Sequence, residues 1–222
     1  MHPSVVIRRE IVAAARRMNA LGINQGTSGN ISVRCGKQML ITPSAVAYEG
    51  LAPEQIAVMA VAGSGSAWKG PHPPSSEWRM HRRILAARPD AMAIVHTHSP
   101  YATALAMARR ELPACHYMAA VFGASPIRCA PYVAYGTAEL AEVAVAALEG
   151  RRACLLANHG VVLLGPTLAR AMWLALELET LARQYVLSLQ IGGPMLLTPD
   201  EMEAIRERIS AYGEPSPVAR RR

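Results

Sequence analysis

The sequence predicts an α/β fold whose sheet is mixed rather than purely parallel, and three observations carry that reading. Short apolar runs of strand length alternate along the chain with longer segments of helical spacing. Several of the runs are separated by turns short enough for hairpins, Gly36-Lys37 being the clearest. Of the 222 residues, 51% are hydrophobic and only 5% aromatic, so one core of Ala, Val, Leu, Ile and Met is affordable and one large domain fits better than two small ones.

Taken in order, Ile7, Ile11, Ala14, Met18 and Leu21 recur at helical spacing and predict a helix over 4–21 ending at Gly22. A polar, glycine-rich loop follows over 22–30. Strands are expected over 31–33 and 39–41, and a loop over 42–45 closes this unit. Another strand over 56–61 runs into the Gly/Ser turn 62–66. The Pro71-His72-Pro73-Pro74 stretch forces extended backbone up to Ser75-Ser76-Glu77. A helix over 77–88, with Ser75 or Ser76 as N-cap, is stopped by Pro89-Asp90. The apolar run 91–95 is a strand, and Ser99-Pro100 opens a helix to about Arg110. His116-Tyr117-Met118 and Ile127-Arg128-Cys129 read as short extended pieces. A helix from Thr137 stops at Gly150, and strands follow over 153–157 and 161–164. Gly165-Pro166-Thr167 opens a long helix to about Gln190. Thr198-Pro199-Asp200-Glu201 is a capping box with proline at the first helical position, so a last helix is expected up to Tyr212, with a disordered tail after Gly213.

Bulk properties exclude several function classes. No apolar run reaches membrane-spanning length, and Arg8, Arg9 and Glu10 inside the first amphipathic segment are unlike a secretory signal, which predicts a cytoplasmic protein. Cys35, Cys115, Cys129 and Cys154 are far apart and form no C-x-x-C pair, so they read as reduced, mostly buried thiols rather than a zinc site. The net charge of +7 comes from scattered arginines, with a basic clump only at Arg220-Arg221-Arg222 and no motif that reads RNA or DNA. An anionic small substrate suits that charge as well. Lys37 and Lys69 are the only lysines, both in polar, Gly-flanked turns unlike the apolar pocket that activates a Schiff-base lysine.

The chemistry centres on Ile94-Val95-His96-Thr97-His98. On a strand, alternation points His96 and His98 to the same side, an arrangement that suits a shared metal ion and suits a hydrophobic core poorly. The competing explanation is two exposed histidines at a strand end. His159 repeats the pattern, an apolar strand ending in a histidine, and reads either as a third ligand or as part of the turn beside Gly160. Thr27-Ser28-Gly29-Asn30, Ser75-Ser76 and Ser44 offer hydroxyls, backbone N–H groups and a helix N-terminus, which are the ingredients of a phosphate site and equally of ordinary turns and caps. Glu77 reads as a carboxylate complementing the helix dipole or as a base beside a phosphate-bearing carbon. His81, four residues on, could pair with it, and His81, His72 and His116 are otherwise structural. Tyr117 and Tyr212 are core-edge tyrosines or phenolic acids.

The combination resembles the class II aldolase/adducin family. The matching stretches are Asn24-Gln25-Gly26-Thr27-Ser28-Gly29-Asn30, Ile41-Thr42-Pro43, Pro74-Ser75-Ser76-Glu77-Trp78-Arg79, His96-Thr97-His98, His116-Tyr117-Met118, Cys129-Ala130-Pro131-Tyr132, Gly136-Thr137, Asn158-His159-Gly160 and Ala211-Tyr212-Gly213, in the family's order over nearly the whole chain. The resemblance implies a three-layer α/β/α sandwich with a central mixed, largely antiparallel sheet. It implies one such domain over 1–213, a disordered basic tail over 214–222, and a homotetramer with active sites between subunits.

By position, the resemblance makes His96, His98 and His159 the ligands of one Zn2+ per subunit, with Mn2+ or Co2+ as substitutes, and Glu77 both a fourth ligand in the empty site and the base. Gly29, Asn30, Ser44, Ala45, Ser75 and Ser76 fall on phosphate-binding positions. Tyr117 from a neighbouring subunit falls on the acid serving the aldehyde oxygen, and Tyr212 on a mobile C-terminal tyrosine. The implied activity is that of a lyase: reversible cleavage of a ketose 1-phosphate to dihydroxyacetone phosphate and an aldehyde, with no nucleic acid or membrane partner.

L-Fuculose 1-phosphate is one such substrate. Ala45 stands where close relatives have glycine, Tyr135 and Asn158 depart from the fuculose-phosphate members, and the tail beyond Tyr212 diverges, so a 5-deoxyribulose or 5-methylthioribulose 1-phosphate fits the same chemistry. Within the fold, a sugar-phosphate 4-epimerase, a decarboxylase, a dehydratase and a non-catalytic adducin-like interaction module are the alternatives.

Overall fold

Six of the eight strands are continuous apolar or mostly apolar runs, and the reason is that the sheet is covered on both faces. The computed structural model describes residues 3–63 and 65–209. Its strands are β1 (Asn30–Cys35), β2 (Gln38–Ile41), β3 (Ala57–Ala60), β4 (Trp68–Lys69), β5 (Ala93–Thr97), β6 (Cys129–Ala130), β7 (Ala153–Leu156) and β8 (Gly160–Gly165). They form one sheet in the order β4-β3-β2-β1-β5-β8-β7-β6. Every pairing is antiparallel except β6 with β7, which is parallel.

Side chains alternate across the sheet, so neighbouring residues join different cores. Val95, Val161 and Leu163 pack with helices α1 (Pro3–Ala20), α3 (Pro100–Met107), α5 (Leu168–Leu189) and α6 (Pro199–Ile209) on one face. Ile94, Val162 and Leu164 pack with α2 (Trp78–Ala87) and α4 (Ala138–Ala147) on the other. This is the three-layer α/β/α sandwich the sequence predicts. The all-α1 register is set by Ile11, Ala15 and Met18, each fully buried at helical spacing, while Arg16 on the same helix donates to the carbonyls of Tyr48 and Leu51 at 3.0 Å each and ties down the loop after β2.

Several boundaries differ from expectation for local reasons. Helix α2 begins at Trp78; Glu77 is its N-cap, with non-helical φ −97° and ψ 15°, and the Ser75 hydroxyl accepts from the Glu77 N–H at 3.3 Å. The hydroxyl of Ser99 makes no capping bond to α3. The Glu179 carboxylate of α5 takes that place, accepting from the N–H groups of Tyr101 and Ala102 at 2.8 and 3.0 Å, where the helix dipole favours negative charge. Helix α3 ends at Met107 rather than near Arg110, because Arg109 turns the chain at φ +51°.

The extended piece expected at His116-Tyr117-Met118 is instead a 3-10 turn over Tyr117–Phe122, capped by His116 Nδ1 accepting from the Met118 N–H at 3.2 Å. The two-residue edge strand Trp68–Lys69 and the 3-10 turn Pro53–Gln55 are additions. The Thr198–Glu201 capping box forms as predicted: Thr198 Oγ1 accepts from the Glu201 N–H at 3.2 Å and Glu201 Oε2 from the Thr198 N–H at 2.7 Å. All four cysteines are free thiols; only Cys154 is fully buried and the other three are half-buried. The expected end of α6 at Tyr212 and the tail lie outside the described residues.

Candidate active site

β5 carries His96 inside the sheet and delivers His98 just beyond it, while the β7–β8 turn brings His159 beside them. The turn works because of what surrounds it. Asn158 adopts φ +55°, and Gly160 leaves no room for a side chain: a Cβ there would lie 2.5 Å from the Thr97 carbonyl oxygen and 2.7 Å from the His98 ring. The three imidazole centroids end 4.8 to 5.0 Å apart.

The ligating atoms converge more tightly still. One nitrogen from each of His96, His98 and His159 lies within 4.8 Å of the others, the spacing of groups that share a metal ion. His96 Nε2 is 3.1 Å from His98 Nε2 and 3.0 Å from Glu77 Oε2, and His159 Nε2 is 3.3 Å from Glu77 Oε1. His96 Nδ1 lies 2.9 Å from the Val161 carbonyl, which can only accept; Nδ1 therefore carries a proton, and Nε2 is the nitrogen that faces the centre. Glu77 Oε1 and His159 Nδ1 are buried without a hydrogen-bond partner among the described residues. Unsatisfied buried polar atoms are rare, and Glu77 Oε1, 3.3 Å from His159 Nε2, faces a set of nitrogen and oxygen donors that fits a divalent cation. His96, His98, His159 and Glu77 are thus brought together as the sequence predicts.

Glu77 is kept anionic by its surroundings. Burial raises its pKa, but His96, His159 and Asn30 outweigh burial and hold the carboxyl well below the usual range. His96 runs the other way: burial lowers it, and Glu77 with the Val161 carbonyl raises it past its ordinary value. Burial, reinforced by neighbouring imidazoles, lowers His98 and His159 to about 4, so both are neutral and able to ligate at neutral pH.

Behind Glu77 stands a relay that sequence reasoning did not anticipate. Ser32 Oγ lies 2.7 Å from His81 Nδ1, His81 Nε2 lies 2.5 Å from Asn30 Oδ1, and Asn30 Nδ2 donates to Glu77 Oε2 at 2.9 Å. His81 is fully buried and its pKa falls to about 3, chiefly through burial, so it is neutral with a single N–H. The Asn30 carbonyl can only accept, so that hydrogen is on Nε2 and Ser32 donates to Nδ1. Every donor in the chain points toward Glu77. His81 therefore does not pair with Glu77 directly, as its position four residues on suggests; it reaches the carboxylate through Asn30.

The loops expected to bind phosphate are stitched side by side. Thr42 Oγ1 accepts from the Ile31 N–H at 3.2 Å, the Ser75 N–H donates to the Thr42 carbonyl at 3.0 Å, and the Ser44 N–H to the Pro73 carbonyl at 2.9 Å. Gly29 is pinned by Asn24 Oδ1, which accepts its N–H at 2.8 Å, and a Cβ there would lie 2.5 Å from the His96 carbonyl oxygen. Tyr48, fully buried and pushed up to about 12 mainly by burial, donates to the Gly29 carbonyl. Asn30 is committed at both ends of its amide and Ser75 is buried, whereas Ser76 and Ala45 are exposed.

A cavity of about 330 Å³ opens over the centre. Glu77, His98 and His159 contribute to it, with hydroxyls from Thr27, Ser28 and Ser76; the rest of its lining is Tyr132, Val133, Tyr135 and Asn158. Thr27 and Ser28 are thus better placed than Gly29 or Ser75 to touch a bound molecule. Tyr117 is not part of this lining; it is 46% exposed and packs on His116 with ring centroids 4.6 Å apart. Tyr212 lies outside the described residues.

With that geometry in hand, the chain can be set beside known proteins. Residues 9–186 match the class II aldolase and adducin N-terminal domain. The 5-methylthioribulose-1-phosphate/5-deoxyribulose-1-phosphate aldolase of Rhodospirillum rubrum is 48% identical over 97% of this chain and 98% of its own length. The L-fuculose phosphate aldolase of Escherichia coli is 42% identical over 93% and 95%. Among solved structures, an L-fuculose 1-phosphate aldolase superposes with a TM-score of 0.87 at 40% identity, covering 91% of this chain and 95% of that one. Sequence pattern, near full-length identity and fold agree, and the chain belongs to the class II aldolase and adducin family.

Proposed function

We propose that this aldolase, a lyase, reversibly cleaves a ketose 1-phosphate to dihydroxyacetone phosphate and an aldehyde, with L-fuculose 1-phosphate and the 5-deoxyribulose and 5-methylthioribulose 1-phosphates as the candidate substrates. The observation that carries the reading is the convergence of three histidine Nε2 or equivalent ring nitrogens on a buried carboxylate, Glu77, whose Oε1 has no hydrogen-bond partner, beneath a cavity lined by hydroxyls. In this reading the enzyme works in the cytoplasm as a homotetramer with one Zn2+ per subunit and active sites between subunits.

His96, His98, His159 and Glu77 would hold the ion, which supplies Lewis acidity toward the C2 ketone oxygen. The remaining work falls to side chains. Thr27, Ser28 and Ser76, which line the cavity, bind and orient the phosphate end together with Gly29, Asn30, Ser44, Ala45 and Ser75. The C4 hydroxyl gives up its proton, the C3–C4 electron pair passes into an enediolate, and C4 leaves as the aldehyde carbonyl. The proton from O4 leaves on the Tyr117 side, and Glu77, anionic at rest, takes up a proton in the bound complex and passes it to C3 to complete dihydroxyacetone phosphate, so the net change moves one proton from O4 to C3. Tyr117 of a neighbouring subunit serves the O4 side, and Tyr212 closes over it. The relay from Ser32 through His81 and Asn30 holds the Glu77 carboxylate in place.

The test is release of dihydroxyacetone phosphate from a panel of ketose 1-phosphates, together with metal analysis of the purified protein. Cleavage of at least one, lost in Glu77→Gln, is the expected result. Epimerisation of ribulose 5-phosphate with no cleavage would overturn the aldolase reading. A protein that carries and takes up no divalent ion would favour the interaction module.

A further inference from the structure

Two buried hydroxyls that the reaction does not use lie beneath the loops assigned to phosphate. Thr42 directly follows β2 and Tyr48 stands in the loop beyond it; neither is more than 1% exposed, and neither lines the cavity. Their hydrogens can be placed from what each partner allows. The Gly29 carbonyl can only accept, so it takes the single hydrogen of the Tyr48 hydroxyl. The Ile31 N–H can only donate, and it lies 3.2 Å from Thr42 Oγ1. The Thr42 hydrogen is left for the Tyr48 oxygen, with which Thr42 shares a side-chain hydrogen bond. Burial raises the phenol to about 12 against the lowering effect of that bond, so Tyr48 stays a donor at neutral pH. Ile31 N–H, Thr42, Tyr48 and the Gly29 carbonyl thus form one chain in which every donor points the same way. Each link is anchored. Gly29 has its N–H on Asn24 Oδ1 at 2.8 Å, and a Cβ there would lie 2.5 Å from the His96 carbonyl oxygen, which wedges the loop against β5. The Tyr48 carbonyl accepts from Arg16 Nε and the Thr42 carbonyl from the Ser75 N–H, each at 3.0 Å.

Resting on the aldolase reading above, we infer that Thr42 and Tyr48 are positioning residues for the phosphate end of the substrate: their hydroxyl pair fixes the spacing of the Gly29–Asn30, Ser44–Ala45 and Ser75–Ser76 loops without touching the molecule those loops hold. An oxyanion takes several charge-assisted hydrogen bonds at once, and each weakens steeply as its length and angle depart from the optimum. Loops that close on one phosphate therefore profit from a common frame, and the pair supplies it out of reach of water. Without the Tyr48 hydroxyl, the Gly29 carbonyl and the Thr42 hydrogen are both buried with their bonds lost, at a cost that the loop can relieve only by turning. The Gly29–Asn30 peptide unit is planar, so it turns with its carbonyl. The Asn30 side chain keeps its own bonds to His81 and Glu77, so binding suffers more than proton transfer.

The experiment is steady-state cleavage of L-fuculose, 5-deoxyribulose and 5-methylthioribulose 1-phosphates, with inorganic phosphate as a competing inhibitor. Wild type is compared with Tyr48→Phe, Thr42→Val, the double variant and Thr42→Ser. Tyr48→Phe should raise both KM and the phosphate inhibition constant about tenfold, with kcat changed by less than about threefold and metal content unmoved. Thr42→Val should act in the same way from the other end of the pair. The double variant should be no worse than the larger single one, because links of one chain do not add. Thr42→Ser, which keeps the hydroxyl, should restore both constants. A melting temperature that falls in Tyr48→Phe while KM and the phosphate constant stay would make the pair purely structural and overturn the inference. So would a loss confined to kcat, a loss of bound metal, or single effects that add in the double variant, and the aldolase reading survives each of these. A wild type that cleaves none of the three phosphates would sink the aldolase reading itself and this inference with it.

Discussion

The two halves of one cavity are built on different principles. Glu77, His96, Asn30 and His81 are at most 4% exposed, and their polar atoms, Glu77 Oε1 apart, lie 2.5 to 3.0 Å from a partner. Tyr132 and Tyr135, which line the same cavity, are 57% and 72% exposed. The buried half cannot change without stranding a charge or a donor; the exposed half can change at almost no cost to folding. Reaction chemistry is therefore expected to reside in the first and selectivity in the second.

Metal removal should break the buried half most completely. Dialysis against a chelator is expected to abolish cleavage, and added Zn2+ or Co2+ to restore it, followed by activity and by metal content together; activity that survives with no bound ion would contradict the assignment of the histidine centre. Next in size, Glu77→Gln keeps the shape of the side chain and removes its ability to carry a proton. We expect kcat to fall by about 10²- to 10⁴-fold, the usual contribution of a positioned acid or base. A fall confined to KM would instead make Glu77 a binding group.

The relay behind Glu77 gives a smaller effect that is specific to the buried half. His81→Ala removes the partner of Asn30 Oδ1 and of the Ser32 hydroxyl, and about a 10- to 100-fold loss in metal affinity or activity is expected, the range seen when groups behind a metal ligand are removed. His81→Gln, which can still donate to Asn30, should recover part of it. A pH signature goes with this residue. Its pKa is about 3 when folded against an ordinary 6.5, so below pH 6.5 the unfolded chain binds a proton that the folded chain refuses. Stability is constant above 6.5 and declines as pH falls toward 3, by up to about 1.4 kcal/mol per pH unit for this group. His98 and His159 titrate in the same direction. The informative quantity is thus the difference between wild type and His81→Gln in denaturant titrations at pH 7 and pH 5, where the variant should show the shallower decline.

How much of this was legible in the sequence follows the same division. His96 and His98 could be read because strand alternation is local, and His159 because a strand that ends in a histidine repeats the pattern. The relay could not. Ser32 and His81 are 49 residues apart, and they meet only because β1 lies beside β5 with Asn30 opposite His96 while α2 covers that face. Helical spacing suggested that His81 pairs with Glu77, but Glu77 is the cap, outside helical φ/ψ, and its carboxylate turns toward the histidines. The carboxylate that caps α3 was hidden for the same reason: Glu179 comes from α5, nearly eighty residues after the helix it serves. Trp68–Lys69 is too short, and too close to a Gly/Ser turn, to announce itself as a strand. On the exposed half, the sequence singled out Tyr135 and Asn158 by their departure from relatives, and the fold puts both in the lining.

The smallest expected effect concerns Ala45, at the edge of the loops that the reading assigns to phosphate. It has φ +58° and is exposed, so its Cβ suffers the left-handed clash with no packing to offset it. The strain is roughly 1–2 kcal/mol; a glycine avoids it but gives the unfolded chain about 0.5–1 kcal/mol more entropy to lose. Ala45→Gly should therefore stabilise the protein by only about 0.5–1 kcal/mol, read as a melting-temperature rise of about 1–4 °C for a chain of this size. Metal content should not move, since the loop touches none of the four converging groups. A lower melting temperature would mean that the methyl group makes a favourable contact in solution, and a change in metal content would mean that the exposed loops and the buried centre are coupled after all.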